Sequence, residues 1–161
     1  GVEPLIKMLQ SQRLRDRRTA MIALGTLGGA KACDALIPLL QSSSAEDRDS
    51  AVGAVGGARC ARAFEPLVKA LNDEHHMVRA DAAMALGDLG DKRAIEPLLA
   101  VLNGNPGDSI RTGVVVALGA LGDRRAIEPL EKLLKTEKNE NVRQQIEQSL
   151  QRLRAAPPDK Q

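Results

Sequence analysis

Residues 80–102 read "ADAAMALGDLGDKRAIEPLLAVL", and residues 112–134 read "TGVVVALGALGDRRAIEPLEKLL". The second stretch restates the first, with Arg125 where Arg93 stood and Pro129 where Pro97 stood. Each holds two segments of helical period, parted by a Gly-Asp turn. In the first, Ala82, Ala85, Leu86 and Leu89 recur along one helix face and stop at Gly90, a residue suited to the left-handed exit of a helix. Pro97 then marks a new start. Proline lacks an N–H and has a fixed φ, so it is tolerated at or near the first position of a helix and is costly further in. Glu96 beside it suits the positive end of the helix dipole. Each stretch is therefore a pair of helices, and its Glu-Pro opens the second.

Outward from these two copies the pattern continues. Pro4, Pro38, Pro66, Pro97 and Pro129 each precede a leucine, at nearly even intervals. Glu3, Glu65, Glu96 and Glu128 stand before four of them, and Ile37 before the other. Arg17, Arg48, Arg79, Arg111 and Arg143 mark the same point near the start of successive first helices. A helix pair cannot bury its apolar face alone, so stacked copies share one core. The expected fold is all-α: a right-handed α-solenoid of antiparallel helix pairs over residues 1–154, about five units with the first incomplete. "GVEPLIKMLQ" at the start is a second helix without its first, as expected of a fragment. In the last helix Glu147, Gln148 and Gln151 replace Ala83, Met84 and Gly87, the polar face expected of a terminal cap. "AAPPDKQ", residues 155–161, reads as a disordered tail.

At this level of detail the units resemble HEAT repeats of the phycobilisome-lyase HEAT-like type. The resemblance rests on "VRADAAMALGDLGDKRAIEPLLAVL" and "IRTGVVVALGALGDRRAIEPLEKLL", and it covers about residues 2–154. It implies a curved superhelix with the second helices on the concave side. It does not specify a task, because such repeats serve many.

Composition narrows the tasks. The 161 residues include one Phe and no Tyr or Trp, so the core is built from Ala, Leu, Val and Gly, which suits close-packed helices over sandwiches or barrels. The same lack removes aromatic stacking on bases, the Trp-rich clefts of HEAT-like DNA glycosylases, and the aromatic lining expected of a bilin site. Net charge is only +2. No apolar run is long enough to cross a bilayer as a helix, so no membrane span is expected. Cys33 and Cys60 form no framework; free thiols, a reducing compartment and a cytoplasmic location follow. The start at Gly1 leaves an N-terminal targeting segment open.

Candidate binding residues fall on the second helices. Polar residues recur at i, i+4 and i+7 as Glu65/Lys69/Asn72, Glu96/Ala100/Asn103 and Glu128/Lys132/Lys135, opposite the leucines. This stripe is either a solvated face or a concave surface recognising a protein, and its glutamates oppose a phosphate backbone. The exception is the basic stretch Arg13–Arg18, a candidate nucleic-acid patch. Arg48, Arg79, Arg111 and Arg143 are expected to form a ladder between repeats, with Asp81, Asp91 and Asp123 as candidate partners. His75 and His76 lack further ligands at readable spacing, so no metal is expected. The His-Glu pairs of the related deoxyhypusine hydroxylases are replaced here by Ala80-Asp81 and Thr112-Gly113. Phe64 takes the place of Ile95 and Ile127 in the core, and the glycine turns follow helices, so they form no phosphate loop. No catalytic residue and no cofactor emerge. The expected function is a non-enzymatic scaffold for an unidentified protein partner, bound by the concave groove or the exposed N-terminal end, which also offers self-association. The alternatives are a bilin lyase or isomerase subunit, suggested by the resemblance, and nucleic-acid binding through Arg13–Arg18.

Overall fold

The computed structural model describes residues 1–158. The second helices are α1 (Val2–Met8), α3 (Ala30–Leu36), α5 (Phe64–Ala70), α7 (Ile95–Asn103) and α9 (Ile127–Thr136). Between them run the first helices α2 (Leu14–Leu27), α4 (Ala45–Gly57), α6 (His76–Leu89), α8 (Asp108–Leu121) and α10 (Glu140–Ala155). The chain is a right-handed α-solenoid, with first helices stacked in one row and second helices in the other. The core lies between the rows and joins side chains from every unit, among them Leu24, Leu36, Leu67, Leu86, Leu118 and Ile146. Residues 159–161 of the expected tail lie outside the described residues, and α10 runs through Ala155, just past the expected boundary.

The turn chemistry follows the quoted repeat. Gly90 and Gly122 leave α6 and α8 at φ 70° and 67°. Asp91 and Asp123 then accept the backbone N–H of Arg93 and Arg125, each at 3.0 Å, which shapes a 3-10 turn leading into α7 and α9. Pro97 and Pro129 fall in the first turn of those helices. The unit of Pro38 departs from this pattern. Its longer turn winds into α3, and Pro38 falls afterwards, in a 3-10 segment over Ile37–Gln41.

Glycine sets the spacing of the first row. A Cβ on Gly25 would lie 2.9 Å from the Ala54 backbone, one on Gly56 2.9 Å from the Ala85 methyl, and one on Gly87 2.8 Å from the Ala117 backbone. At the last step Ser149 replaces the alanine, and its hydroxyl donates to the Val115 carbonyl at 3.0 Å. Glycine opposite alanine lets these helices touch backbone to backbone. Adding a methyl at Gly87 forces α6 and α8 apart, so Gly87→Ala is expected to cost about 1–3 kcal/mol. Gly53 makes an internal control: it is mid-helix, and a Cβ there meets nothing within 4 Å. Gly53→Ala is expected to gain about 0.5–1 kcal/mol by helix propensity. Urea midpoints of the two variants should therefore move in opposite directions.

This spacing corrects the expected curvature. Successive first helices pack directly on one another from α2 on α4 to α8 on α10, whereas successive second helices barely meet, and between α7 and α9 lies an open cleft of about 630 Å³, lined by Leu99, Asn103, Pro129 and Leu133. A stack whose rows differ in spacing bends toward the tighter row. The first helices therefore form the inner face, and the second helices with their polar stripe form the outer one.

The cysteines also differ from expectation. Cys33 on α3 and Cys60 before α5 form a disulfide, with Cα atoms 5.6 Å apart. The free-thiol reading therefore fails, and with it the premise for a reducing compartment. Stacking brings α3 against the turn before α5 although 27 residues separate the two cysteines in the chain. Cys60 stands where later units have Asp91 and Asp123, so a covalent link to the previous unit replaces the carboxylate cap.

Candidate binding grooves

The recurring arginines hold the loops that separate the units. Arg17, Arg48, Arg79 and Arg143 donate to the carbonyls of Ser11, Ser42, Asp73 and Glu137, each at the same offset, and Arg111 donates to that of Pro106. Three of them also reach forward into the next unit. Arg17 pairs with Asp47 at 3.0 Å, Arg48 with Asp73 at 2.8 Å and Arg111 with Glu137 at 2.8 Å. The carboxylates expected from sequence, Asp81, Asp91 and Asp123, are not these partners. Asp91 and Asp123 cap the 3-10 turns and pair with Arg93 and Arg125, while Asp81 lies on the inner face. The Arg48 guanidinium holds the Asp73 carboxyl below its ordinary value. Burial pushes Glu137 upward, but the N–H of Asn139 and the Arg111 guanidinium outweigh it and leave the group lowered.

The outer stripe divides among separate clefts. Glu96, Asn103, Glu128 and Lys132 border the one between α7 and α9. Lys69 and Asn72 border another, with Arg48 and Asp73. Lys135 lines a third with Arg143 and Arg154. Glu65 is exposed on α5. His75 and His76 stack at 5.1 Å at the start of α6, and among the described residues no three His, Cys, Asp or Glu converge. Phe64 is buried, and the Arg93 guanidinium lies 4.2 Å over its ring. Within the basic stretch, Arg17 is taken by Asp47, which leaves Arg13, Arg15 and Arg18 exposed. No helix among the described residues is long and apolar enough to cross a membrane.

The inner face presents a different surface. In register along α2, α4, α6 and α8 lie Ile22, Gly53, Met84 and Val116. Ile22 is 57% exposed and Met84 47%. Between α2 and α4 the glycine leaves a groove of about 570 Å³, bordered by Arg18, Ile22 and Thr26 on one side, floored by Gly53 and Gly57, and closed by Asp49 and Asp81. Burial, the neighbouring Asp49 charge and a hydrogen bond with Asp49 raise the Asp81 carboxyl to about 6. Two ionised carboxylates cannot bond each other, and Asp49 Oδ1 is buried with no donor. With a proton on one of them, the pair shares a hydrogen bond.

Stability therefore depends on pH through this pair. The folded value of Asp81 exceeds the ordinary 3.8, so ionising it opposes folding; the cost is absent below about pH 4 and complete above about 6. Asp81→Asn removes that charge and supplies an amide donor. Allowing for partial solvent screening, it is expected to stabilise the fold by about 1–2 kcal/mol near neutral pH. The gain should vanish near pH 4. Thermal denaturation of both proteins across that range checks it.

Comparison with known proteins fits this geometry. A family model described as HEAT repeats matches residues 34–113 and 64–151. The chain belongs to the HEAT-repeat family. A second model, the PBS lyase HEAT-like repeat, matches one HEAT unit over residues 16–42. Among solved structures, the complex of CpcE and CpcF of phycocyanin lyase from Nostoc sp. PCC7120 contains a similar chain, with 27% identity and a TM-score of 0.83. That match covers 95% of this chain and 65% of the lyase chain, so this chain spans less than two thirds of it. A designed armadillo repeat protein in complex with peptide (KR)4 is similar in fold, with 21% identity, a TM-score of 0.72, and 94% of this chain and 81% of that one covered. No curated protein sequence matches significantly.

The HEAT units carry their inner-face features on residues that periodicity alone passes over. Met84, solvent-facing in a helix of alanines, and Gly53, mid-helix with no turn to make, were the available signals. Their meaning depends on which row faces inward, which the pattern within one HEAT unit does not encode.

Proposed function

We propose that this HEAT-repeat chain is a non-catalytic scaffold that holds a protein partner against its inner face. One observation carries the reading. Among the described residues, the large apolar side chains left exposed are Leu14, Ile22 and Leu27 on α2, and Met77 and Met84 on α6. They therefore fall on first helices. Of these, Ile22 and Met84 stand in register on the inner face, Ile22 beside the groove, and apolar groups so exposed are what a protein contact covers. The outer stripe offers Glu, Lys and Asn in separate clefts, and the leucines there, Leu99, Leu102 and Leu133, are partly buried against the core rather than exposed.

The test is affinity capture with nuclease treatment, comparing two variants. Ile22→Asp/Met84→Asp should lose a partner that Glu65→Lys/Glu96→Lys/Glu128→Lys retains. The reverse result would move the contact to the second helices.

A second reading has one observation in its favour, the likeness to a chain of the phycocyanin lyase complex. It assigns this chain to a bilin lyase or isomerase subunit. Mixing with a bilin should then change the pigment's absorbance; an unchanged spectrum removes this reading. For Arg13, Arg15 and Arg18, nucleic-acid binding would show a steep loss with added salt.

A further inference from the structure

We propose that the slot over Gly53 takes up one cationic side chain, lysine or arginine, of a partner polypeptide. The proposal rests on the scaffold reading for the source of that side chain, and its chemistry comes from the slot itself.

Three features define it. The floor is the bare α4 backbone at Gly53 and Gly57, where a Cβ on Gly53 would meet nothing within 4 Å. Mid-helix glycine costs helix stability, and this one neither makes a turn nor admits a neighbouring helix. What it leaves is room for a guest. Along one wall Ile22 stands 57% exposed, apolar surface suited to the methylene stem of a long basic side chain. The far end carries Asp49 and Asp81, with Asp49 Oδ1 buried and accepting from no donor. An ammonium or guanidinium brings a donor and a positive charge to two adjacent carboxylates. Arg18 lines the α2 side of the same groove, so the cation is directed to the α4–α6 end.

Uptake should be coupled to protons. The charged groups facing Asp81 are Asp49 on α4 and Arg18 across the groove on α2; α8 packs there through Gly113 against Ala80, without an ionisable group. A cation beside Asp81 favours its ionised form. Binding should therefore tighten as pH rises through about 6 and release a proton below it.

The probes are the blocked pentapeptides acetyl-Ala-Ala-X-Ala-Ala-amide with X as Lys, Arg, norleucine or Glu. Each is titrated into the ¹³C-methyl-labelled chain while the Ile22 δ1 signal is followed by NMR. The Lys and Arg peptides should shift that signal saturably, and the norleucine and Glu peptides should not. Asp49→Asn/Asp81→Asn should weaken the Lys peptide by roughly tenfold or more. Gly53→Leu should fold with undiminished stability yet lose binding, because the new side chain occupies the slot. Equal shifts from norleucine, an unchanged affinity in Gly53→Leu, or a response to calcium chloride without one to Lys or Arg would each overturn the proposal. Failure here is separable from failure of the scaffold reading. A partner lost with Ile22→Asp/Met84→Asp but held by Asp49→Asn/Asp81→Asn would leave the scaffold and remove the cation slot.

Discussion

Arg48→Ala is expected to destabilise the chain by about 3–5 kcal/mol, the range for removing one partner of a buried ion pair. The arginine is 8% exposed and is anchored on two sides. Behind it lies the Ser42 carbonyl at 3.0 Å; ahead, its Nε and Nη2 donate to both oxygens of Asp73, at 2.8 and 2.9 Å. Truncation leaves the Asp73 carboxylate beside apolar packing without its counter-ion, and the carbonyls of the loop before α4 without a donor. Arg48→Lys keeps the charge but cannot form the two-pronged pair, so its loss should be intermediate. Arg143 makes an informative comparison. It donates to the carbonyls of Leu134 at the end of α9 and of Glu137 in the loop, and its pair with Glu140 is 3.9 Å long and exposed, so Arg143→Ala should cost clearly less. Urea denaturation of these variants separates the cases. Equal losses for Arg48→Ala and Arg143→Ala would mean that the pair with Asp73 adds nothing to the loop contacts.

The second large effect concerns the disulfide. Cys33→Ala/Cys60→Ala is expected to lose about 2–4 kcal/mol, chiefly because the cross-link restricts the unfolded chain around a loop of this size. The loss should be concentrated locally. The link ties α3 to the turn before α5, and a stack of units can open at one end while the other stays folded. Hydrogen exchange should then quicken in α1 to α4 before it quickens in α8 to α10. Without reductant the native chain should yield no reactive thiol, and with it two. Two reactive thiols in the untreated protein, or equal melting with and without reductant, would refute the cross-link.

Much of the local structure could be read directly. Gly90 and Gly122 end their helices and Pro97 and Pro129 open the next ones because both residues act through their own φ angles, whatever surrounds them. Pro38 shows the limit of that rule. It marks a helical turn but not the start of its helix, since α3 begins well before it, at Ala30. The arginines announced themselves by position, yet their carboxylate partners did not. Asp73 and Glu137 lie at unit junctions of differing length and Asp47 in the first turn of α4, while the evenly repeated Asp91 and Asp123 serve their own turns.

What the sequence determined by itself is therefore the unit: two helices, their ends, and the need for a neighbour to bury the shared apolar face. Those properties depend on residues within a turn or two of each other. Only the tertiary structure decided which row faces inward, because curvature is set by the approach of Gly25, Gly56 and Gly87 to alanines of the next unit. It also decided that Cys33 meets Cys60 and that Asp49 meets Asp81, each pair drawn from neighbouring units. Each meeting depends on the rise and rotation from one unit to the next, a quantity that packing between helices sets and that no single repeat contains.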